Sequence, residues 1–223
     1  THIISDNYSF KERLRSLGVL SESAYHKWHV IRQPAEFDFS LPIASRLNIN
    51  YGGRGGARIL WASRICYQKN WDVLIEIARR NPDIHFDIWG EGPDAEKVRA
   101  ASVAIKNILY KGSFVSIVKL VNEGGYDAFL YTSRMDGIPN ILLEVGALGL
   151  PMVSSYVGAI PDILSEEKAF VVLDHTDVNS YSEALRALLS DKNAAKDRAI
   201  RLLEFIKKHH NISQSEKAIL EVI

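Results

Sequence analysis

The sequence predicts an α/β protein: a Rossmann-like parallel sheet with helices on both faces, preceded by a small strand–helix piece and followed by closing helices. Three observations carry that prediction. From residue 58 onward, short apolar runs alternate with amphipathic stretches of about ten residues, the rhythm of βαβ units. Several of those runs end at a glycine or a polar turn that opens the next helix. The length of 223 residues suits one large domain or one and a half small ones, and 47% hydrophobic with 24% charged residues excludes disorder.

The elements follow in order. His2-Ile3-Ile4-Ser5 reads as a short strand. Ser5 or Asp6 offers an N-cap for a helix from Asp6 to Leu17, in which Phe10, Leu14 and Leu17 share a face and Gly18 ends the run. Trp28 to Ile31 is a second short apolar run. Residues 34–57, with Pro42 and Gly52-Gly53-Arg54-Gly55-Gly56, read as a linker. The regular part then reads strand Arg58–Ala62, helix Asn70–Arg80, strand Ile84–Trp89, helix Asp94–Ala104, strand Asn107–Tyr110, helix Phe114–Asn122, strand Tyr126–Tyr131, helix Pro139–Leu148, and strands Met152–Ser155 and Ala169–Leu173. Helices over Asp177–Leu189, Ala194–His209 and Gln214–Ile223 close the chain. The expected division is 1–33, a strand–helix fragment; 34–57, the linker; 58–209, the main domain; and 210–223, a last helix whose Ala218, Ile219, Val222 and Ile223 pack back on the fragment.

Composition removes several function classes. Lys plus Arg and Asp plus Glu are both 27, and a formal charge of zero argues against broad binding to a nucleic-acid backbone. The lone Cys66 forbids an internal disulfide and fits a reducing compartment or indifference to redox. No apolar run has the length of a membrane span, and no signal-peptide pattern is visible. The chain starts at Thr1, which suggests a processed or truncated piece of something longer. His175, His209 and His210 read as surface residues, and no His/Cys/Asp cluster has metal-ligand spacing.

In an open parallel sheet, ligands bind beyond the carboxyl ends of the strands. The loops that matter are therefore 62–69, 89–94, 110–115, 131–139 and 154–162. The first places Arg64 and Lys69 at a helix N-terminus. Cations there oppose the helix dipole, and an anion between them would resolve the conflict; two solvated cations are the alternative. The second, Gly90-Glu91-Gly92-Pro93-Asp94-Ala95, is a weak dinucleotide fingerprint. It lacks an acid about twenty residues on, so a tight strand-to-helix turn is preferred to NAD binding. The fourth runs from Thr132 to Asn140. Gly137 admits close approach, and Pro139 opens a helix whose free N–H groups face the same space. Asp136 is either a capping acid or a ligand contact. Glu144, on an otherwise apolar and small-residue helix, needs a partner, and the vicinal hydroxyls of a ribose or a structural ion pair would serve. The last loop, Val157-Gly158-Ala159-Ile160-Pro161-Asp162, again brings a glycine to a helix start.

In order and spacing these residues resemble the C-terminal, donor-binding half of a retaining family 4 (glycosyl transferases group 1) GT-B glycosyltransferase. Arg64 and Lys69 match the family's basic pair after the first strand of that half. Gly90, Gly92 and Pro93 match its G-x-G-P turn, and Lys111-Gly112 its strand–glycine turn. Ser133 through Pro139 matches S-x-x-E-G-x-P, with Asp136 at the Glu, and Glu144 through Val153 matches E-x2-A-x-G-x-P-x-V, which together form the E-x7-E signature. The match runs from about Arg58 to Leu173, and Ile3-Ile4-Ser5 with its helix resembles the end of the family's acceptor half. Three residues depart from the pattern: Asp136 stands for the first Glu, Ser63 for a Gly, and Ala159 for the second Gly of the last loop.

What the resemblance implies is a transferase moving a hexose from a UDP- or GDP-sugar, with UDP-sugar favoured, to a glycan or lipid-linked acceptor, with retention and no required metal or cofactor. Arg64 and Lys69 would hold the diphosphate, Glu144 the ribose and Asp136 the donor sugar. Gly90, Gly112, Ser133, Gly137, Ile138, Pro139 and Asn140 would line the nucleotide-sugar site, and Arg64, Lys69, Asp136 and Glu144 would form the catalytic set. The implied setting is cytoplasmic polysaccharide biosynthesis, with membrane contact through the full-length protein. A GT-B nucleotide-sugar epimerase, and a binding module inactive as isolated, are the alternatives.

Overall fold

The structure, a computed structural model, describes residues 2–35 and 56–222. Most of the expected linker lies outside the described residues. Among the described residues are two sheets. The smaller has two parallel strands, β1 (Ile3–Ser5) and β2 (Trp28–Val30), in the register Ile3 to Trp28 and Ser5 to Val30. The larger is built from β3 (Ala57–Ala62), β4 (Ile84–Trp89), β5 (Ile108–Gly112), β6 (Ala128–Tyr131), β7 (Met152–Ser155) and β8 (Phe170–Val172). All its pairings are parallel and the order is β5-β4-β3-β6-β7-β8. Renumbered from its own first strand, that order is 3-2-1-4-5-6, the doubly wound arrangement. The order reverses between β3 and β6, so the crevice for a ligand opens above those two strands.

Central strands buried on both faces should be apolar, and the buried stretch of β3 and all of β6 are. Ile59, Leu60, Trp61 and Ala62 in β3 and all of β6 are at most 1% exposed. One face is covered by α3 (Trp71–Arg80), α4 (Ala95–Ala104) and α7 (Val178–Ser190), through Val73, Leu74, Ile77, Val98, Tyr181 and Leu185. The other is covered by α5 (Ile117–Gly124), α6 (Asn140–Ala147) and α8 (Lys192–His209). Here α6 and α8 pack closely because Gly146 has no side chain: a Cβ there would lie 2.5 Å from Ile206 Cδ1.

The N-terminal piece adds α1 (Tyr8–Ser16) and α2 (Glu22–His26), and α9 (Ile212–Leu220) ends the chain. The cap of α1 is Asn7, not Ser5 or Asp6; its side chain accepts from Phe10 N at 2.8 Å. Ser5 Oγ is engaged elsewhere, by Trp28 Nε1 at 2.8 Å. The sequence pattern does not predict the α2 turn, which Ser21 caps through Ala24 N. The helix expected from Phe114 starts three residues later, because Ser116 is its cap and leaves Phe114 and Val115 in the loop. The strand expected from Tyr126 starts at Ala128: Gly125 is left-handed and the Asp127 carboxylate accepts from Arg58 N at 2.7 Å. The final helix begins at Ile212, capped by Asn211.

His210 is not a surface residue. It is fully buried, and its Nδ1 lies 2.9 Å from Gln33 O as the donor. Burial, helped by nearby Arg32, lowers its pKa to about 4. The main chain closes the same contact, Ala35 N donating to His210 O at 2.8 Å, and Ser215 Oγ donates to Arg32 O at 2.7 Å. Among the described residues no helix is long and apolar enough to cross a membrane.

Candidate functional site

The loops at the carboxyl ends of the strands are stitched to one another across the sheet. Starting from β5, Gly90 N donates to Gly112 O at 2.7 Å, and Ser63 N to Trp89 O at 3.0 Å. Ile65 N donates to Glu91 O at 2.9 Å. This closeness needs glycine: Gly90 has φ 138°, and a Cβ there would fall 1.8 Å from Ser63 O. Across the switch point, Arg134 N donates to Gln68 O at 2.8 Å, Gln68 Nε2 to Met135 O at 3.0 Å, and Thr132 Oγ1 to Lys69 O at 2.9 Å. Trp61, buried in β3, supports Thr132 from below through Nε1 at 3.0 Å. On the far side Ala159 N donates to Asp136 O at 3.0 Å, and a Cβ on Gly158 would meet that oxygen at 1.8 Å.

The result is a rigid crest that brings Lys69 and Asp136 together. Lys69 ends a short 3-10 turn, Tyr67–Lys69, held by Lys69 N to Cys66 O at 3.0 Å. Asn70 turns left-handed after it, at φ 57°, and its buried Nδ2 donates to His175 O at 2.7 Å. Lys69 Nζ is ion-paired with Asp136 Oδ2 and donates to Tyr131 Oη at 2.9 Å. The Tyr131 hydroxyl donates to the same carboxylate oxygen, and Ser133 Oγ lies 3.2 Å from it. Burial, and then the Asp136 charge, push the Tyr131 hydroxyl far above its ordinary pKa, so it remains a donor at every physiological pH.

The other expected site residues divide. Arg64 is exposed, with no hydrogen bond or ion pair among the described residues. The two cations of this loop therefore differ: Arg64 is open and Lys69 is already paired with Asp136. Ser133 is fully buried and its hydroxyl lies within 3.1 Å of Gln68 O and 2.9 Å of Met135 O. Gly137 is exposed and a Cβ there would meet nothing within 4 Å. Ile138 and Pro139 are buried. Pro139 precedes α6 in an extended conformation, so the amides of Asn140 and Ile141 open the helix without intrahelical carbonyls. Glu144 is half-buried on α6, between buried Leu143 and Val145. Gly112 turns left-handed at φ 77°. The Asp162 carboxylate holds the start of α1 beside the Asn7 cap, accepting from Tyr8 N at 2.5 Å, Ser9 N at 3.2 Å and Ser9 Oγ at 2.5 Å.

Three participants lie outside the expected set: Tyr131, Gln33 and Asp162. Tyr131 is the last residue of β6, and its aromatic character reads as core. Gln33 donates through Nε2 to Ile138 O and Asn140 Oδ1, both at 2.8 Å, from 105 and 107 residues away. A cavity of 190 Å3 lies beside Asp136, bounded by Gly137, Gly158 and Ala159 on the crest and by Asn7, Ser9, Phe10 and Arg13 on α1. Among the described residues no three His, Cys, Asp or Glu come together as a metal site.

A doubly wound parallel sheet with helices on both faces is the architecture of the Rossmann-like domains of GT-B glycosyltransferases. The chain belongs to the glycosyl transferases group 1 family, whose model matches residues 56–191. It is 26% identical over 165 residues to a GDP-mannose-dependent alpha-(1-6)-phosphatidylinositol monomannoside mannosyltransferase of Mycolicibacterium smegmatis, covering 68% of this chain and 43% of that protein. It is 25% identical over 164 residues to a 2-deoxystreptamine N-acetyl-D-glucosaminyltransferase of Niallia circulans, covering 69% of this chain and 41% of that one. Among solved structures, Anabaena HepE in complex with UDP superposes with a TM-score of 0.80 at 14% identity, over 99% of this chain and 62% of that one. The chain thus spans less than half the length of these two curated relatives.

Proposed function

We propose that the chain is the donor-binding part of a retaining hexosyltransferase that takes its sugar from a nucleoside diphosphate sugar and passes it to a glycan or lipid-linked acceptor. The supporting observation is the position of Arg64, Lys69 and Asp136 on one stitched crest above the β3–β6 switch point, where an open α/β sheet takes its ligand. Arg64 and Lys69 bind the diphosphate and stabilise the charge that builds on it as the glycosidic bond breaks. The open amides at the start of α6 add donors of fixed direction. Glu144 accepts from the ribose hydroxyls, and Asp136 faces the sugar. The relatives support this reading through their names, which include a GDP-mannose-dependent mannosyltransferase, and through the UDP complex of HepE.

Titration calorimetry with UDP, GDP and their nucleosides tests it. The diphosphates bind more tightly than the nucleosides, and Arg64→Ala weakens diphosphate binding by about 1.5–3 kcal/mol, the range for hydrogen bonds to charged groups. Equal affinity for nucleoside and diphosphate would refute the assignment. Glu144→Gln and a 2′,3′-dideoxynucleotide remove the same contact, so their losses are non-additive. A GT-B enzyme works in a cleft that excludes water between its two halves, so this chain alone transfers sugar far below about 1 per second. Product analysis with a nucleotide-sugar separates transfer from epimerisation.

A further inference from the structure

We propose that Asp136 is an internal competitor for Lys69, so that the site favours a nucleotide still carrying its sugar over the free nucleoside diphosphate. This rests on the donor-binding reading above. The pair is built rather than incidental. The Lys69 main chain is fixed from both sides, by Cys66 O at 3.0 Å and Thr132 Oγ1 at 2.9 Å, and the Asp136 carbonyl is fixed by Ala159 N at 3.0 Å. The two side chains are 16% and 15% exposed, so neither swings freely in solvent.

Charge arithmetic gives the consequence. In the empty site Lys69 is neutralised by Asp136, and Arg64 is the uncompensated cation of the two. A diphosphate that reaches Lys69 displaces the carboxylate and leaves it close to a like charge in a partly desolvated pocket. The cost stands unless new donors meet Asp136 as Lys69 is drawn away. The hydroxyls of an attached sugar are such donors; the free diphosphate has none. Once the sugar has left, Asp136 returns to Lys69 and loosens the product. Tyr131 and Ser133 keep the carboxylate oriented while it changes partners, since both reach Oδ2 from residues on the same loop or strand.

The test compares the full chain with Asp136→Asn by calorimetry against UDP, GDP, UDP-glucose and GDP-mannose. Asparagine keeps an acceptor for Tyr131 and removes the charge. The expected result is diphosphate binding tightened by about tenfold, little or no gain for the sugar nucleotides, and no gain at all in Lys69→Ala/Asp136→Asn. Diphosphate binding unchanged or weakened in Asp136→Asn, with the wild type binding normally, overturns the proposal and leaves the donor-binding reading intact. A wild-type chain that binds neither UDP nor GDP removes the reading and the proposal together. Asp136→Ser carries the same comparison should the asparagine variant fail to fold, as judged by its circular dichroism and melting curve.

Discussion

The crest above β3 and β6 and the groove beside β4 and β5 are built on opposite plans. On the crest, loops from five strands are joined by main-chain hydrogen bonds, and Lys69 and Asp136 are matched to each other. Under α5 lies a groove of 470 Å3, bounded by Trp89, Phe114, Tyr126 and the stems of Lys111 and Lys119. Only Ile117 and Val121 of α5 are buried. Its polar floor is self-contained: Arg58 reaches Asp87 at 2.5 Å, and Tyr126 Oη reaches the same carboxylate at 3.1 Å. Burial pushes the Tyr126 hydroxyl up to about 12. The contrast teaches that rigidity in this molecule comes from backbone apposition, whereas helix coverage alone leaves space. Where charge must be aimed, the chain has glycines that let loops touch.

The largest effect should come from breaking that apposition. Gly158→Ala drives a methyl into Asp136 O and should cost about 3 kcal/mol or more in urea unfolding. Gly125→Ala is the control. Gly125 also has a left-handed φ of 62°, but nothing lies within 4 Å, so about 1–2 kcal/mol of backbone strain is expected alone. Equal losses would mean that the crest is not tightly apposed. Next comes the floor of the groove. Arg58→Ala leaves buried Asp87 with Tyr126 and should cost about 2 kcal/mol, whereas Arg58→Met with Asp87→Leu should recover most of it.

A third effect lies away from both regions. His210 titrates at about 4 when folded, below its ordinary value of 6.5. The unfolded chain therefore takes up the proton first as pH falls, and stability drops between pH 6.5 and 4. Melting curves of His210→Gln should show a shallower slope in that window; an unchanged slope would mean the ring is solvated. The smallest effect belongs to the rim of the crest, where Arg134 bridges to half-exposed Asp72 and stacks 4.4 Å over Tyr67. Arg134→Ala should cost about 0.5–1 kcal/mol and less at high salt.

The sheet and its helices are legible in the sequence because strand and helix periodicities are local signals. The ends of elements are less so. Ser5, Asp6 and Asn7 are all competent caps, and the choice falls to Asn7 because Trp28, far along the chain, takes Ser5 Oγ. His210 looks like a charged helix end, and residues 33–35, distant in sequence, pair with both its ring and its carbonyl. Candidate positions such as Lys69 and Asp136 can be picked out by type and spacing, and so can the glycines. That they neutralise each other, with Tyr131 beneath them, cannot: a pairing across 67 residues leaves no periodic trace.

Asp162 belongs to the turn that follows Gly158 and Ala159, yet its carboxylate holds the first amides of α1. One end of that turn therefore grips the N-terminal piece and the other grips the Asp136 carbonyl. It works as a connecting rod. A displacement of the β1–α1 piece must either break the Asp162 clasp or pull on the main chain of Asp136, so the placement of that piece and the geometry of the Lys69 ion pair are not independent coordinates.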